Sequence, residues 1–469
     1  MTNTLPSKNG TANRPSRPGR ESAVGVHKHR RTATDIGLAL ITPIVGQEFL
    51  DRYGLRGPLN RGLKYGVKQV FSTAGAATRQ FKRVQGLGKP PTRLKASGAD
   101  YFDLTPDDDQ KMIVETVNEF AAEILRPAAH DADETAEYPA DLIDKAAELG
   151  ITAVNVPEDF DGIAEHRSTV TNALVAEALA YGDMGLALPI LAPGGVASAL
   201  THWGSADQQA TYLKEFASEN VPQGCLAIAE PHALFDPTAL KTTAVRTPSG
   251  YRLAGVKSLV PAAAHAELFI VAAQLNGKPA LFIVEASSQG LTVKADPSMG
   301  IRAAALGQVE LDNVAVPLHA RLGGDDATDQ DYAQNYSEAI ALSRLGWAAL
   351  AVGTSHAVLD YVIPYIKERQ AFGEPIAHRQ SVAFMAANIA IELDGLRLIT
   401  WRGAARAEQG LPFAREAALA RKLGTDKGMQ IGLDGVQLLG GHGYTKEHPV
   451  ERWYRDLRAI GVAEGVVVL

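Results

Sequence analysis

The chain has 469 residues, 46% of them apolar and 21% charged, with 44 Gly, 25 Pro and a single cysteine, Cys225. These values describe an ordinary globular protein of roughly two to four domains and exclude collagen-like, low-complexity and disulfide-framed classes. One cysteine excludes an intrachain disulfide, a CxxC redox pair and a cysteine-based zinc site. The net charge of -7 conceals a division: residues 1–98 hold 18 Lys+Arg against 4 Asp+Glu, and the other 371 residues hold 28 against 49.

Residues 1–32 are rich in Asn, Ser, Pro, Gly and Arg. They offer too little apolar surface to offset ordering entropy, so the sequence predicts a disordered basic tail, a plain solvated one or an organellar transit peptide. Over 33–98 a basic amphipathic extension ends in a Gly/Pro linker at 84–98. The apolar run Ile36–Val45 is far short of the ~20 residues of a membrane span, and Pro43 interrupts it. The segment 33–83 therefore suits peripheral contact with a membrane surface, or packing on the acidic body or on another subunit. No zinc-finger or aromatic-basic RNA motif accompanies the charge, so nucleic acid is not expected.

From Thr105, read as an N-cap with Pro106 behind it, the spacing turns helical through Leu125. Further helices are expected at 140–149, 167–181, 190–203 and 206–217, which makes 99–222 an α-helical domain. Between 223 and 330 the period shortens. Cys225–Ala229, Tyr251–Leu259, Leu268–Ala273, Ala280–Val284 and Val309–Val316 read as strands of a compact antiparallel β-domain, with Asn276-Gly277 as a hairpin turn. Helices return at 336–368, 378–409, 413–439 and 448–459, as expected of a four-helix bundle spanning 331–469. The fold class is thus α+β, in three domains behind a basic extension.

Generic site motifs are missing: there is no phosphate-binding P-loop, dinucleotide fingerprint, HExxH or nucleophile elbow. His442 and His448 have no partner at metal-ligand spacing, and no metal is expected. A succession of segments is more telling. Arg369-Gln370-Ala371-Phe372-Gly373-Glu374-Pro375-Ile376 is followed by Gln380, and then by Gln437-Leu438-Leu439-Gly440-Gly441-His442-Gly443-Tyr444. Pro449-Val450-Glu451-Arg452, Arg455-Asp456 and Glu464-Gly465 complete it. Upstream stand Ala229-Glu230-Pro231, Gly255-Val256-Lys257 and Met299-Gly300-Ile301-Arg302. Together they resemble the acyl-CoA dehydrogenase family over about 100–465.

The resemblance implies an α-domain, a middle β-barrel and a four-helix bundle in a homotetramer or, with a partner chain, a hetero-tetramer. It implies FAD as cofactor, an acyl-CoA as substrate and an electron-transfer flavoprotein as onward acceptor, in the cytoplasm, with the mitochondrial matrix as the alternative. Glu464 takes the position of the base that removes the α-proton. A base working near neutral pH needs a carboxyl whose proton affinity is raised by burial, and Val462, Ala463, Val466 and Val467 supply apolar neighbours. The position from which some family members supply the acid is here Ser343. Arg344, beside it, takes a substrate-binding position. Arg369 would meet the FAD pyrophosphate, while Phe372, Gln380, Gln437, Gly440 and Gly441 line the adenosine diphosphate end.

The pattern departs at the flavin ring. Ala229 stands where the family has a threonine, and Leu259-Val260-Pro261 where it has Trp-Ile-Thr, so hydroxyl donors are missing and Pro261 lacks even a backbone donor. The Tyr and Thr that usually flank Glu-Gly are Ala463 and Val466. These departures admit two other readings, a weakly active or inactive structural subunit of a hetero-oligomer and an acyl-CoA oxidase of the same fold.

Overall fold

The computed structural model describes residues 104–164, 168–218, 220–324 and 328–469. The chain divides into one unit at Met1–Ala99 and a second at Asp100–Leu469. The basic tail, the amphipathic extension and the linker expected over 1–98 lie outside the described residues.

The first helix, α1 (Asp108–Phe120), starts two residues later than Thr105-Pro106 suggests. Its N-cap is Asp107, which accepts the Gln110 N–H while the Gln110 side chain accepts the Asp107 N–H. That reciprocal box satisfies two end groups at once and outweighs a proline start. A π-turn, Ala121–Leu125, leads into α2 (Arg126–Thr135), and α3 (Leu142–Glu148) follows. Two helices then form the centre of the domain, α4 (Thr169–Gly182) and α5 (Met184–Trp203), with α6 (Ala206–Tyr212) beyond them. α5 begins six residues before the expected start because Asp183 caps it, accepting the Leu186 N–H at 3.1 Å. Pro189 and Pro193 lie inside α5. It is buried on nearly every side, so no polar stripe betrays its period.

The middle domain is a curled seven-stranded sheet with β1 (Gly224–Ala227), β2 (Thr243–Thr247), β3 (Gly250–Val260), β4 (Leu268–Leu275), β5 (Lys278–Glu285), β6 (Leu291–Ala295) and β7 (Gly307–Pro317). Its order is β1-β4-β2-β3-β7-β6, with β5 beside β4. The Asn276-Gly277 turn joins β4 to β5 with Leu275 opposite Lys278, both turn residues at positive φ, as a type I′ hairpin needs. β2 and β6 are absent from the sequence reading. Their mostly exposed, charged or short patterns carry no apolar run. The expectation of antiparallel pairing also needs amendment, because β1 and β2 both run parallel to β4.

The C-terminal helices are α7 (Asp329–Glu368), α8 (Gln380–Glu408), α9 (Ala414–Leu423), α10 (Met429–Leu439) and α11 (Val450–Asp456). α7 starts at a Thr328–Asp331 capping box, seven residues before the apolar pattern shows itself. α9 passes through a π-turn, Gly424–Gly428, into α10. Between α7 and α8 a small hairpin, β8 (Gln370–Ala371) and β9 (Glu374–Pro375), turns on Phe372-Gly373. α5 and α7 are long and apolar enough to cross a bilayer, but 89% and 61% of their apolar windows are buried inside the protein.

Charged side chains tie the three domains together. Arg455 forks onto Asp133 of α2 at 2.7 and 2.9 Å and also reaches Glu451. Arg452 meets the buried Asp183 at 2.9 Å. Asp456 accepts the Ile301 N–H of the middle domain at 2.5 Å, and its other oxygen, Oδ2, has no hydrogen-bond partner among the described residues. Burial, with Asp183 nearby, pushes the Asp456 carboxyl up to about 8.

Candidate active site

Two places collect the residues singled out in the sequence. The first surrounds Glu464. α7 presents Ser343, Arg344 and Trp347 to the segment after α11. The Ser343 hydroxyl donates to the Gly465 carbonyl at 2.7 Å and the Trp347 Nε1–H donates to the same oxygen at 2.9 Å. Residues at i and i+4 of one helix thus clamp the peptide beside Glu464. Gly465 also pairs with Ala227 across an antiparallel bridge, so β1 holds it from the other side.

The Glu464 side chain is buried and ionically held. Arg344 donates from Nε and Nη2 to Glu464 Oε1 at 3.1 and 2.8 Å, and Arg421 Nη2 lies 3.4 Å from the same oxygen. The apolar setting expected from Val462, Ala463, Val466 and Val467 exists in part: three of them are buried, but Val462 is 61% exposed. The carboxylate itself faces two guanidinium groups. Arg344, assigned to substrate from its sequence position, is in this structure engaged with Glu464. Arg421 was missed because a basic residue in α9 reads as solvated. Its face could have revealed it, since Ala417, Ala420 and Gly424 are buried at helical spacing around it. Burial lowers the Arg421 guanidinium below its ordinary range, opposed by Glu464, and its Nη1 has no hydrogen-bond partner among the described residues.

The second place is a cavity of about 990 Å³ at the end of α7, lined by Arg369, Phe372, Arg379, Gln437, Gly440 and Gly441 among others. Arg369 is the C-cap of α7 and has no ion-pair partner among the described residues. Phe372, at φ +55 on the hairpin turn, is 95% exposed, with the Arg379 guanidinium 5.6 Å from its ring centre. Gly440 ends α10 at φ +60, and a Cβ on either Gly440 or Gly441 would meet nothing within 4 Å. Backbone can therefore approach a ligand closely there. Gln380 is not in this wall; it is the exposed first residue of α8. His442 and His448 stack on each other at 5.6 Å, their Nδ1 atoms paired with Tyr365 and Tyr361 hydroxyls.

A guanidinium without an ion-pair partner among the described residues, a glycine backbone with open space beside it and an exposed aromatic ring suit an adenosine diphosphate group. The cavity thus fits that end of FAD. The middle-domain end offers less. Ala229 and Pro261 are both buried, and β3 reaches back to Ala229 through the Ser258 N–H at 2.9 Å. Neither contributes a side-chain donor. Next to Ala229, however, Glu230 and Lys257 form a fully buried pair at 2.9 Å, with Glu230 also accepting the Lys241 and Thr242 N–H groups. This clasp fixes the end of β1 to β3. The sequence contained both residues within quoted motifs but gave no sign that they meet.

Comparison with known proteins agrees with this architecture. Residues 107–220, 225–314 and 334–466 match the N-terminal, middle and C-terminal domains of acyl-CoA dehydrogenase. An acyl-CoA dehydrogenase of Bacillus subtilis is 30% identical over 76% of this chain and 94% of its own length. The mitochondrial short/branched chain specific acyl-CoA dehydrogenase of Rattus norvegicus is 31% identical over 76% of this chain and 83% of its own. The butyryl-CoA dehydrogenase structure from Megasphaera elsdenii superposes with a TM-score of 0.70 at 27% identity, covering 77% of this chain and 95% of that one. The chain belongs to the acyl-CoA dehydrogenase family.

Proposed function

We propose that this chain oxidises an acyl-CoA thioester to the trans-2-enoyl-CoA, with Glu464 as the base. The observation that carries the reading is the buried Glu464 carboxylate, oriented by Arg344 and with its backbone clamped by Ser343 and Trp347. Glu464 takes the α-proton, the α C–H electron pair forms the new double bond, and the β-hydrogen departs with its own electron pair. Bound FAD supplies the acceptor for that hydrogen. Arg369, Phe372, Gln437 and the Gly440-Gly441 backbone would hold its adenosine diphosphate end, and electrons would pass onward to an electron-transfer flavoprotein.

The cofactor cavity is open, and α8 exposes Phe384, Ile391 and Leu398 at seven-residue intervals. An unpartnered apolar stripe of that kind supports a tetramer in which a second subunit covers the face. Ala229 and Pro261 favour the second reading, a subunit that needs a partner chain to complete its flavin site. We further propose a cytoplasmic protein that meets anionic membrane surfaces through 33–83. Deleting 1–98 should abolish vesicle binding while leaving turnover; unaltered vesicle binding would refute that role.

The main reading is tested by the absorption of purified protein and its anaerobic response to acyl-CoAs. Flavin bands that bleach on addition support it. Protein that is colourless and cannot be reconstituted with FAD contradicts it for the chain alone and favours the structural-subunit reading.

A further inference from the structure

The residues after Glu464 run into a slot between α5, β1 and α7. Val466, Val467, Val468 and Leu469 are all buried. Two helical glycines clear their path. A Cβ on Gly195 of α5 would lie 2.2 Å from the Val466 carbonyl oxygen, and one on Gly346 of α7 would lie 2.7 Å from Val467 Cγ1. Val468 packs in one apolar cluster with Val196, Leu226, Ile228 and Leu342. The Val466 N–H donates to the Leu226 carbonyl at 3.3 Å. Val466 also sits at φ +69. A β-branched residue in the left-handed region is held there by its surroundings against its own preference.

The chemistry at Glu464 says what the slot is for. The α-carbon of a thioester must come within reach of the carboxylate, so the carbons beyond the β-position must continue over the apolar surface adjoining Glu464. The slot adjoins Glu464, and Val466–Leu469 fill it. We propose that Val466–Leu469 occupy the distal end of the acyl site and restrict the substrates to short acyl chains. The inference rests on the reading of Glu464 as base and of an acyl-CoA as substrate. In this arrangement the same short segment positions the base at its start and limits chain length along the rest.

The test compares the parent holoenzyme with the Val467→Ala/Val468→Ala double variant. The readout is calorimetric affinity for non-oxidisable 3-thia-acyl-CoA analogues, from butyryl to dodecanoyl length. Each methylene that finds apolar space should tighten binding about fourfold. The parent should stop gaining after the shortest members, and the double variant should go on gaining for further methylenes. The single Val468→Ala variant, which disturbs the fold less, should shift the same way by a smaller amount. Identical chain-length profiles in parent and both variants overturn the slot assignment while leaving Glu464 as base. Affinity that climbs through dodecanoyl in the parent overturns it too. If no analogue of any length binds any of the proteins, the acyl-CoA reading itself fails and this inference with it.

Discussion

Replacing Lys257 with Met tests whether the buried clasp, rather than packing alone, holds the end of β1 against β3. The Lys257 side chain is wholly buried and its ammonium donates to Glu230 at 2.9 Å and to the Ile228 carbonyl at 3.1 Å. Burial would raise the Glu230 carboxyl, but Lys257 and the Lys241 and Thr242 amides reverse this and hold it at about 2. Lowering a carboxyl from 4.5 to about 2 corresponds to about 3 kcal/mol of native-state preference for the ionised form. The ammonium contributes with the opposite sign: burial, partly offset by Glu230, lowers it to about 8. The pair as a whole is thus worth less than its carboxylate half, while removing one partner strands a buried charge at a cost of about 3–5 kcal/mol. Lys257→Met should therefore destabilise the folded state by about 3 kcal/mol at neutral pH, measured by urea unfolding. Adding Glu230→Gln should restore much of that loss. Because the folded carboxyl lies below its ordinary value, its contribution is present above about 4.5 and lost as pH falls toward 2. The gap between parent and single variant should close over the same range. A single-variant loss below about 1 kcal/mol, or strictly additive effects in the double variant, would refute the reasoning.

Two other outcomes follow from the geometry. Arg369→Gln should weaken FAD retention by at least about tenfold, as expected for a lost charge-assisted contact. The flavin-to-protein ratio after gel filtration measures this; an unchanged ratio places the pyrophosphate elsewhere. Asp456, pushed up to about 8, keeps a proton in the folded state that the unfolded chain has released. Its contribution is therefore lost as pH rises from about 4 to about 8. Asp456→Asn should gain stability relative to the parent across that window, and parallel pH profiles of the two proteins would contradict the assignment.

The parts of the fold legible in the sequence were those whose signal is local. The Asn276-Gly277 hairpin is specified by two residues, and the helices of the C-terminal domain by their period and their Gly-Pro breaks. The boundaries that slipped are those governed by polar caps, such as Asp107, Asp183 and Thr328, whose hydrogen bonds outweigh the apolar pattern. Strands β2 and β6 escaped notice because they expose most of their residues and take their stability from neighbours. At the site, the motifs pointed to Glu464, Arg369, Phe372, Gln437 and the paired glycines. They could not disclose that Arg344 and Arg421 converge on one carboxylate from different helices, or that Glu230 and Lys257 pair, because those contacts join residues far apart in the chain. The four apolar residues after Gly465 likewise read as an unremarkable run until Gly195 and Gly346 were seen to face them.

The account depends most on Glu464 as the group that takes the α-proton. Its direct test is the anaerobic bleaching of the flavin by butyryl-CoA in the parent and in Glu464→Gln, followed by stopped-flow absorbance. Removing the base while keeping the shape of the side chain should slow bleaching by about a hundredfold or more, with binding of the butyryl analogue retained. A Glu464→Gln protein that bleaches at the parent's rate would contradict the central claim.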